Sequence, residues 1–210
     1  METQRIPKLI TCAMRMVHIG NIPLVLRNGL VRPNSPLAQG VEYRQIGDNA
    51  IIGKRRKIKM PDGRSVGDCV PFYLGPRTPM LYRLQCGNLS HRQSVNDIIY
   101  CIVMIADIAK LDHEVFYTDG NATSRATTFY RFKDIAKLNK DVSVEDVYCR
   151  NWGSGDASLR CRKQAELLVE GDIPPEKVAY FAVRSDDAKM RLASLGADEG
   201  RVYVRKDFYF

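Results

Sequence analysis

The sequence predicts an α+β fold, on three observations. Its apolar runs are short and bounded by turn residues, as strands are. Helical stretches fall between those runs irregularly and make no βαβ repeat. No Gly–x–Gly–x–x–Gly opens a helix and no Walker-type loop is present, which disfavours a Rossmann dinucleotide site and a P-loop kinase.

The elements follow in order. RMVHI (15–19) is the first strand. Asn21 can cap a short helix through Asn28, with Pro23 in its first turn and Gly29 just past its end. Residues 31–69 are rich in Gly, Pro, Asn and charge and read as a long loop, which in a compact domain is usually functional. Strands are expected around 98–105 and 114–118, with Cys101 as core. From Asn121 to Leu138, aromatic and basic residues recur at helix-like spacing, and 139–160 is irregular. Strands return at Glu166 and at EKVAYFAV (176–183). Ser185 can cap a helix to about Leu195, with Asp186 and Asp187 in its first turn and Gly196 beyond. RVYVRKDFYF (201–210) alternates and closes the sheet as a strand.

A chain of 210 residues suits one well-packed core, and 45% hydrophobic with 27% charged residues is ordinary for a soluble globule. No run reaches the roughly 20 apolar residues of a membrane helix. METQRIPKLI lacks a signal-peptide core, so the expected location is the cytoplasm. Six scattered cysteines without a Cys–x–x–Cys pair, and three histidines, give no metal site and no disulfide framework.

Charge is unevenly placed. Residues 1–93 hold 15 Lys/Arg against 5 Asp/Glu, a net of +10, which exceeds the +8 of the whole chain. The peak is KRRKIK (54–59), five basic residues in six. Such a cluster attracts polyanions, nucleic acid above all; a solvated basic loop is the alternative.

KQAELLV (163–169) places one carboxylate, Glu166, in an apolar run. Burying it is costly unless something pairs with it, which marks it for chemistry unless it sits at a strand edge in water. Four more segments accompany it in order: VHIGNIPLVLRNGL (17–30), IIGKRR (51–56), VPFYLGPRTPMLY (70–82) and the strand end Tyr117–Thr118–Asp119.

Together these segments resemble the DarT family, the DNA ADP-ribosyltransferase toxins of bacterial toxin–antitoxin pairs, over nearly the whole chain. Two positions depart from the pattern: Cys69 stands where an aromatic residue is expected, and Asn121 where His is expected, near the substrate side.

The resemblance implies one ADP-ribosyltransferase domain over 1–210, with two small, mainly antiparallel sheets forming a cleft for NAD. It implies transfer of ADP-ribose from NAD onto a base of single-stranded DNA, thymidine first among the bases. Nicotinamide is released, and no metal is needed. A macrodomain antitoxin of the DarG kind is the implied partner. Glu166 would accept from the ribose 2′-hydroxyl and stabilise positive charge on the ribose. Arg55, too basic to take a proton, would orient phosphates or stabilise charge on the target base from an Ile–Gly–Lys–Arg loop. His18 would grip the nicotinamide-side ribose, and Gly20 and Asn21 would approach the nicotinamide amide; a structural His18 and a purely capping Asn21 are the alternatives. Tyr73 would offer its ring to the nicotinamide, with Phe72 pointing into the core.

Lys54, Arg56 and Lys57 are candidate DNA phosphate contacts. Residues 119–160 hold the substrate-reading region. There Arg125, Tyr130, Arg131, Arg150 and Trp152 combine ring faces with cations, as single-stranded nucleic acid requires. A Trp152 that only anchors the loop is the alternative. The rival functions are transfer to guanine, RNA or protein, a non-enzymatic nucleic-acid binder, and a free NAD glycohydrolase.

Overall fold

A computed structural model describes residues 6–86, 94–153 and 156–210. Residues 1–5, where the signal-peptide reading begins, and 154–155, within the substrate-reading region, lie outside the described residues.

Among the described residues, eight strands form one sheet in the order β5-β4-β6-β2-β1-β3-β7-β8. They are β1 Cys12–His18, β2 Val70–Tyr73, β3 Ile98–Met104, β4 Glu114–Thr118, β5 Phe129–Arg131, β6 Glu166–Glu170, β7 Val178–Val183 and β8 Val202–Val204. Every neighbouring pair is antiparallel except β7 and β8. Eight α-helices accompany them among the described residues: α1 Ile22–Asn28, α2 Asn49–Lys57, α3 Pro79–Cys86, α4 Ile105–Ile108, α5 Leu138–Asp141, α6 Val144–Tyr148, α7 Ala157–Arg162 and α8 Asp186–Ser194. Among the described residues, no helix is long and apolar enough to cross a membrane.

The expectation of two separate sheets is corrected to one, and the register shows why the two descriptions are close. β1 pairs with β3 at every residue from Cys12↔Met104 to His18↔Ile98. Across the centre, β1 meets β2 only at Met14↔Tyr73. Two four-stranded halves therefore join at one residue pair, helped by the Arg15 guanidinium donating to the Pro71 carbonyl at 3.2 Å. Arg15 and Met16 on one side of this seam, and Pro71 and Tyr73 on the other, line the main cavity.

β6 shows how period-two geometry splits a strand between two environments. Leu167 and Val169 enter the main core with Phe72, Val70 and Tyr117. Leu168 enters a second, small cluster with Met60, Val66, Cys69 and Phe116. Glu166, Leu168 and Glu170 thus share the face on which residues 31–69 pack.

Residues 31–69 are not a plain loop. Asp48 accepts from the N–H groups of Ala50 and Ile51 and so caps α2, whose last turn carries Lys54, Arg55, Arg56 and Lys57 where the helix dipole favours cations. IIGKRR is therefore helical, which corrects its reading as a loop. Other expectations also shift. Asn21 precedes α1 but makes no side-chain cap bond. Residues 129–131 form β5 instead of helix. The closing strand shrinks to Val202–Val204, runs parallel to β7 and gives way to a 3-10 turn at Lys206–Phe208. Gly29, at φ 76°, does end α1; a Cβ there would lie 1.8 Å from the Ile173 carbonyl, so no other residue fits this bridge to Leu30. Ser185 caps α8 as read.

Candidate functional site

Glu166 opens β6 and is 2% exposed. Its Oε1 accepts from Arg55 Nη1 at 3.1 Å and from the Ala122 N–H at 3.0 Å. Its Oε2 lies 2.9 Å from the same Nη1. The partner of the isolated carboxylate is thus a cation 111 positions away. α2 half-buries Arg55 against Glu166, while Lys54, Arg56 and Lys57 stay exposed. Arg55 Nη2 is buried and has no partner among the described residues. An orphaned donor of this kind beside a cavity suits a ligand oxygen.

Two further arginines anchor the same segment four residues along β6. Glu170 pairs with Arg64 and, at 3.4 Å, with Arg32. Leu168 plugs the apolar gap between the two carboxylates. The 31–69 segment is therefore held on β6 by ion pairs at both ends of one strand face. Glu170 was legible in ELLVE as a second carboxylate at period four, and the sequence reading missed it. Ser65 fixes the end of α2 by donating to the Arg56 carbonyl at 2.9 Å.

Tyr73 is the register partner of Glu166, so their side chains leave the sheet on the same face. Burial first, and then the Glu166 charge, raise its phenol above the usual range, so it is neutral at neutral pH. Phe72 faces the core and is 1% exposed.

The cavity over the seam has a volume of about 1320 Å³. Glu166, Arg55, Tyr73, Asn121, Gln164 and Arg150 are among its lining residues, with Trp152 closing one side. Trp152 is both anchor and wall: its Nε1–H donates to the Arg77 carbonyl at 3.0 Å, and the Arg160 guanidinium lies 5.9 Å from the ring centre. Arg56 also lines this cavity. Arg125, Tyr130 and Arg131 do not. Tyr130 stacks on Tyr117 at 5.0 Å between centroids, and Arg131 lies 4.0 Å from Glu114.

His18 and Gly20 line a second cavity of about 310 Å³ with Arg44, Asp97 and Arg191. His18 Nδ1 accepts from the Gly20 N–H at 2.9 Å, which leaves the imidazole proton on Nε2. Burial lowers the His18 pKa, so the ring is neutral at neutral pH. Asn21 uses its side chain elsewhere than at the helix: it donates to and accepts from the Arg44 backbone, both at 2.9 Å. That pair of bonds fixes the 43–45 wall, whose alternate residues serve the two cavities, Tyr43 and Gln45 the larger and Arg44 the smaller.

Lys163, at the start of KQAELLV, is 1% exposed and donates to the Val147 carbonyl at 2.5 Å. Burial brings its pKa from 10.5 down to about 7. The unfolded chain then holds this proton up to about 10.5 while the folded one releases it near 7, so the group's contribution to stability rises with pH across that window and its penalty is full below it. Lys163→Met should flatten the rise in unfolding free energy between pH 7 and 10, as read by urea denaturation. An unchanged slope would mean that the amine is not desolvated.

Among the described residues, no group of three or more His, Cys, Asp and Glu could hold a metal ion.

The family model described as ssDNA thymidine ADP-ribosyltransferase, DarT, matches residues 14–210. The chain is 35% identical over 203 residues to a DNA ADP-ribosyl transferase of Escherichia coli O127:H6, covering 93% of this chain and 92% of that one. It is 29% identical over 177 residues to a DNA ADP-ribosyl transferase–DNA ADP-ribosyl glycohydrolase fusion protein of Thermosipho africanus, covering 84% of this chain but 43% of that longer one. In structure it is similar to Thermus sp. 2.9 DarT in complex with ADP-ribosylated ssDNA, at TM-score 0.82 and 26% identity, covering 99% of this chain and all of that one. The same Thermus protein in complex with NAD+ matches at TM-score 0.80.

Proposed function

The chain belongs to the DarT family of ssDNA thymidine ADP-ribosyltransferases, and from that premise we propose that it transfers ADP-ribose from NAD onto a thymidine base of single-stranded DNA, releasing nicotinamide. The observation that carries the reading is Glu166, a buried carboxylate held by Arg55 and the Ala122 N–H at the floor of a large cavity.

NAD supplies the ADP-ribose through a glycosidic bond whose cleavage leaves positive charge on the ribose. The Glu166 carboxylate stabilises that charge, and its two donors fix its position before reaction, so little reorganisation is needed. Arg55 orients this carboxylate and offers its orphaned Nη2–H to an anionic oxygen. Tyr73, neutral and on the same face, offers its ring to the nicotinamide. His18 and Gly20 border the cofactor from the smaller cavity, with the Nε2–H as donor to a ribose hydroxyl, while Asn21 holds the 43–45 wall. DNA reaches the larger cavity between the exposed cations of α2 and the Arg150–Trp152 side. Arg125, Tyr130 and Arg131 contact strand further from the reacting base.

The Thermosipho relative joins a DNA ADP-ribosyl glycohydrolase to the transferase. We assign this chain an equivalent macrodomain partner that neutralises its toxicity, and a cytoplasmic site of action, where NAD and replicating DNA meet.

Incubation with NAD and a panel of oligonucleotides, read by mass spectrometry, tests the reading. The expected product is an ADP-ribosylated thymidine strand. Duplex DNA should react far less, because unpairing and extruding the base costs a few kcal/mol. Modification of guanine, RNA or protein would change the substrate, and nicotinamide release without DNA would leave a glycohydrolase.

Binding of single-stranded DNA should weaken steeply with salt, through phosphate contacts made by α2. Replacing Lys54, Arg56 and Lys57 together by Ala should lower affinity on all sequences and flatten the plot of log K against log salt by up to about two units, at about 0.7 per lost contact. An unaltered slope would move the DNA path away from α2.

A further inference from the structure

We propose that Asn121 is a positioning residue that aims the Glu166 carboxylate by shaping the turn that carries the Ala122 N–H. The proposal rests on Glu166 being the reacting carboxylate, as read above.

Asn121 is the most heavily bonded residue of the turn after β4. Its Oδ1 accepts from the Thr123 N–H at 2.8 Å and from the Thr123 hydroxyl at 2.7 Å. Its carbonyl accepts from the Thr127 hydroxyl at 2.7 Å. Its N–H donates to the Cys161 carbonyl at 3.0 Å, and its Nδ2 donates to Gln164 Oε1 at 3.0 Å. Gln164 in turn donates to the Arg160 carbonyl at 2.9 Å. The turn is thereby fastened to α7 and to the residues that enter β6.

The consequence falls on one amide. A side-chain oxygen that accepts from the N–H two residues on fixes the peptide between them. Here the intervening residue is Ala122, 1% exposed, whose N–H meets Glu166 Oε1 at 3.0 Å. Thr118 steadies the same carboxylate's backbone from below: its Oγ1 accepts from the Glu166 N–H at 3.0 Å and donates to the Gly120 carbonyl at 2.7 Å. Arg55 holds Glu166 from α2; the Asn121 turn is the second hold, through the Ala122 N–H on the same Oε1. Without it the carboxylate can rotate about its arginine, and misplacement of a reacting group by about 1 Å can cost about 100-fold in rate.

The test compares wild type, Asn121→Ala, Asn121→Ser and Gln164→Ala. Steady-state NAD turnover is measured with a thymidine oligonucleotide, and amide hydrogen exchange of the 119–126 segment is measured without NAD or DNA. A serine hydroxyl can accept the same N–H more weakly. Asn121→Ala is expected to lower kcat about 10- to 100-fold, with KM for NAD changed little, and to speed exchange at Ala122. Asn121→Ser should recover much of both. Gln164→Ala should show a smaller fall in kcat, because the turn survives while its tether goes. Unchanged kcat and exchange in a folded Asn121→Ala, or equal damage in the Ala and Ser variants, would overturn the proposal. Because exchange is read without substrate, an inactive wild type would sink the reading of the reaction, while faster Ala122 exchange in Asn121→Ala would still show that Asn121 holds this amide on Glu166.

Discussion

Glu166→Gln is expected to lower the rate of ADP-ribose transfer by about 100- to 1,000-fold, the usual cost of one electrostatic contact made in the transition state. The loss should appear in kcat, with NAD and DNA affinities largely kept, because the charge is needed only as the ribose becomes positive. Glutamine is the informative replacement. Both present bonds to Oε1, from Arg55 and from Ala122, can pass to the amide oxygen of a glutamine, with Arg55 Nη1 moving off the second atom, now an amide nitrogen in place of the Oε2 that lies 2.9 Å away. The charge is removed with the shape retained. Glu166→Ala is less clean, since it strands the Arg55 guanidinium, whose side chain is only 14% exposed. A folded Glu166→Gln variant that still modifies the oligonucleotide at near wild-type rate would take Glu166 out of the mechanism.

Arg55→Ala is expected to remove activity to a similar degree and to cost stability as well. Breaking a buried ion pair by deleting one member costs about 3–5 kcal/mol, because the remaining charge stays desolvated. The site opens to a cavity and Glu166 keeps the Ala122 N–H, so the low end applies. For a chain of this size that corresponds to a fall in Tm of roughly 6–12 °C, at about 2–4 °C per kcal/mol. Arg55→Lys should restore part of the stability but little activity: an ammonium can neutralise Glu166, yet it cannot also project a second donor in the plane of a guanidinium. A calorimetric scan and the turnover assay separate the two effects. An Arg55→Ala protein with unchanged Tm would mean that Glu166 finds another partner.

Much of the candidate site is legible in the sequence because its signals are local. A carboxylate among Ala165, Leu167, Leu168 and Val169 announces a buried charge wherever the strand lies. Ser185, Gly29 and Gly196 mark helix ends through bonds and dihedrals within a few residues. Other signals were local but weaker. Residues 49–57 bury no side chain fully and include Gly53, so no apolar stripe marks α2; Asp48 and the four cations of its last turn were the available signs. Asn21 shows the opposite failure. Its capping propensity is real, but two bonds to the Arg44 backbone claimed the side chain.

The sequence by itself determined the class of fold, the strand that carries Glu166, the basic character of residues 54–59 and, through the order of five segments, the family. Tertiary structure alone decided that the sheet is continuous through one residue pair, that α2 sets Arg55 against Glu166 and leaves its neighbouring cations exposed, and that Glu170 repeats the Glu166 clamp. It also decided that the Ala122 amide completes the hold on the carboxylate. The physical reason is that patterning and capping are fixed by neighbours along the chain, whereas the partner of a buried charge is fixed by which distant segment docks on its face. In this protein that segment stands 111 positions before Glu166 and is bound to the same strand by two sets of arginines.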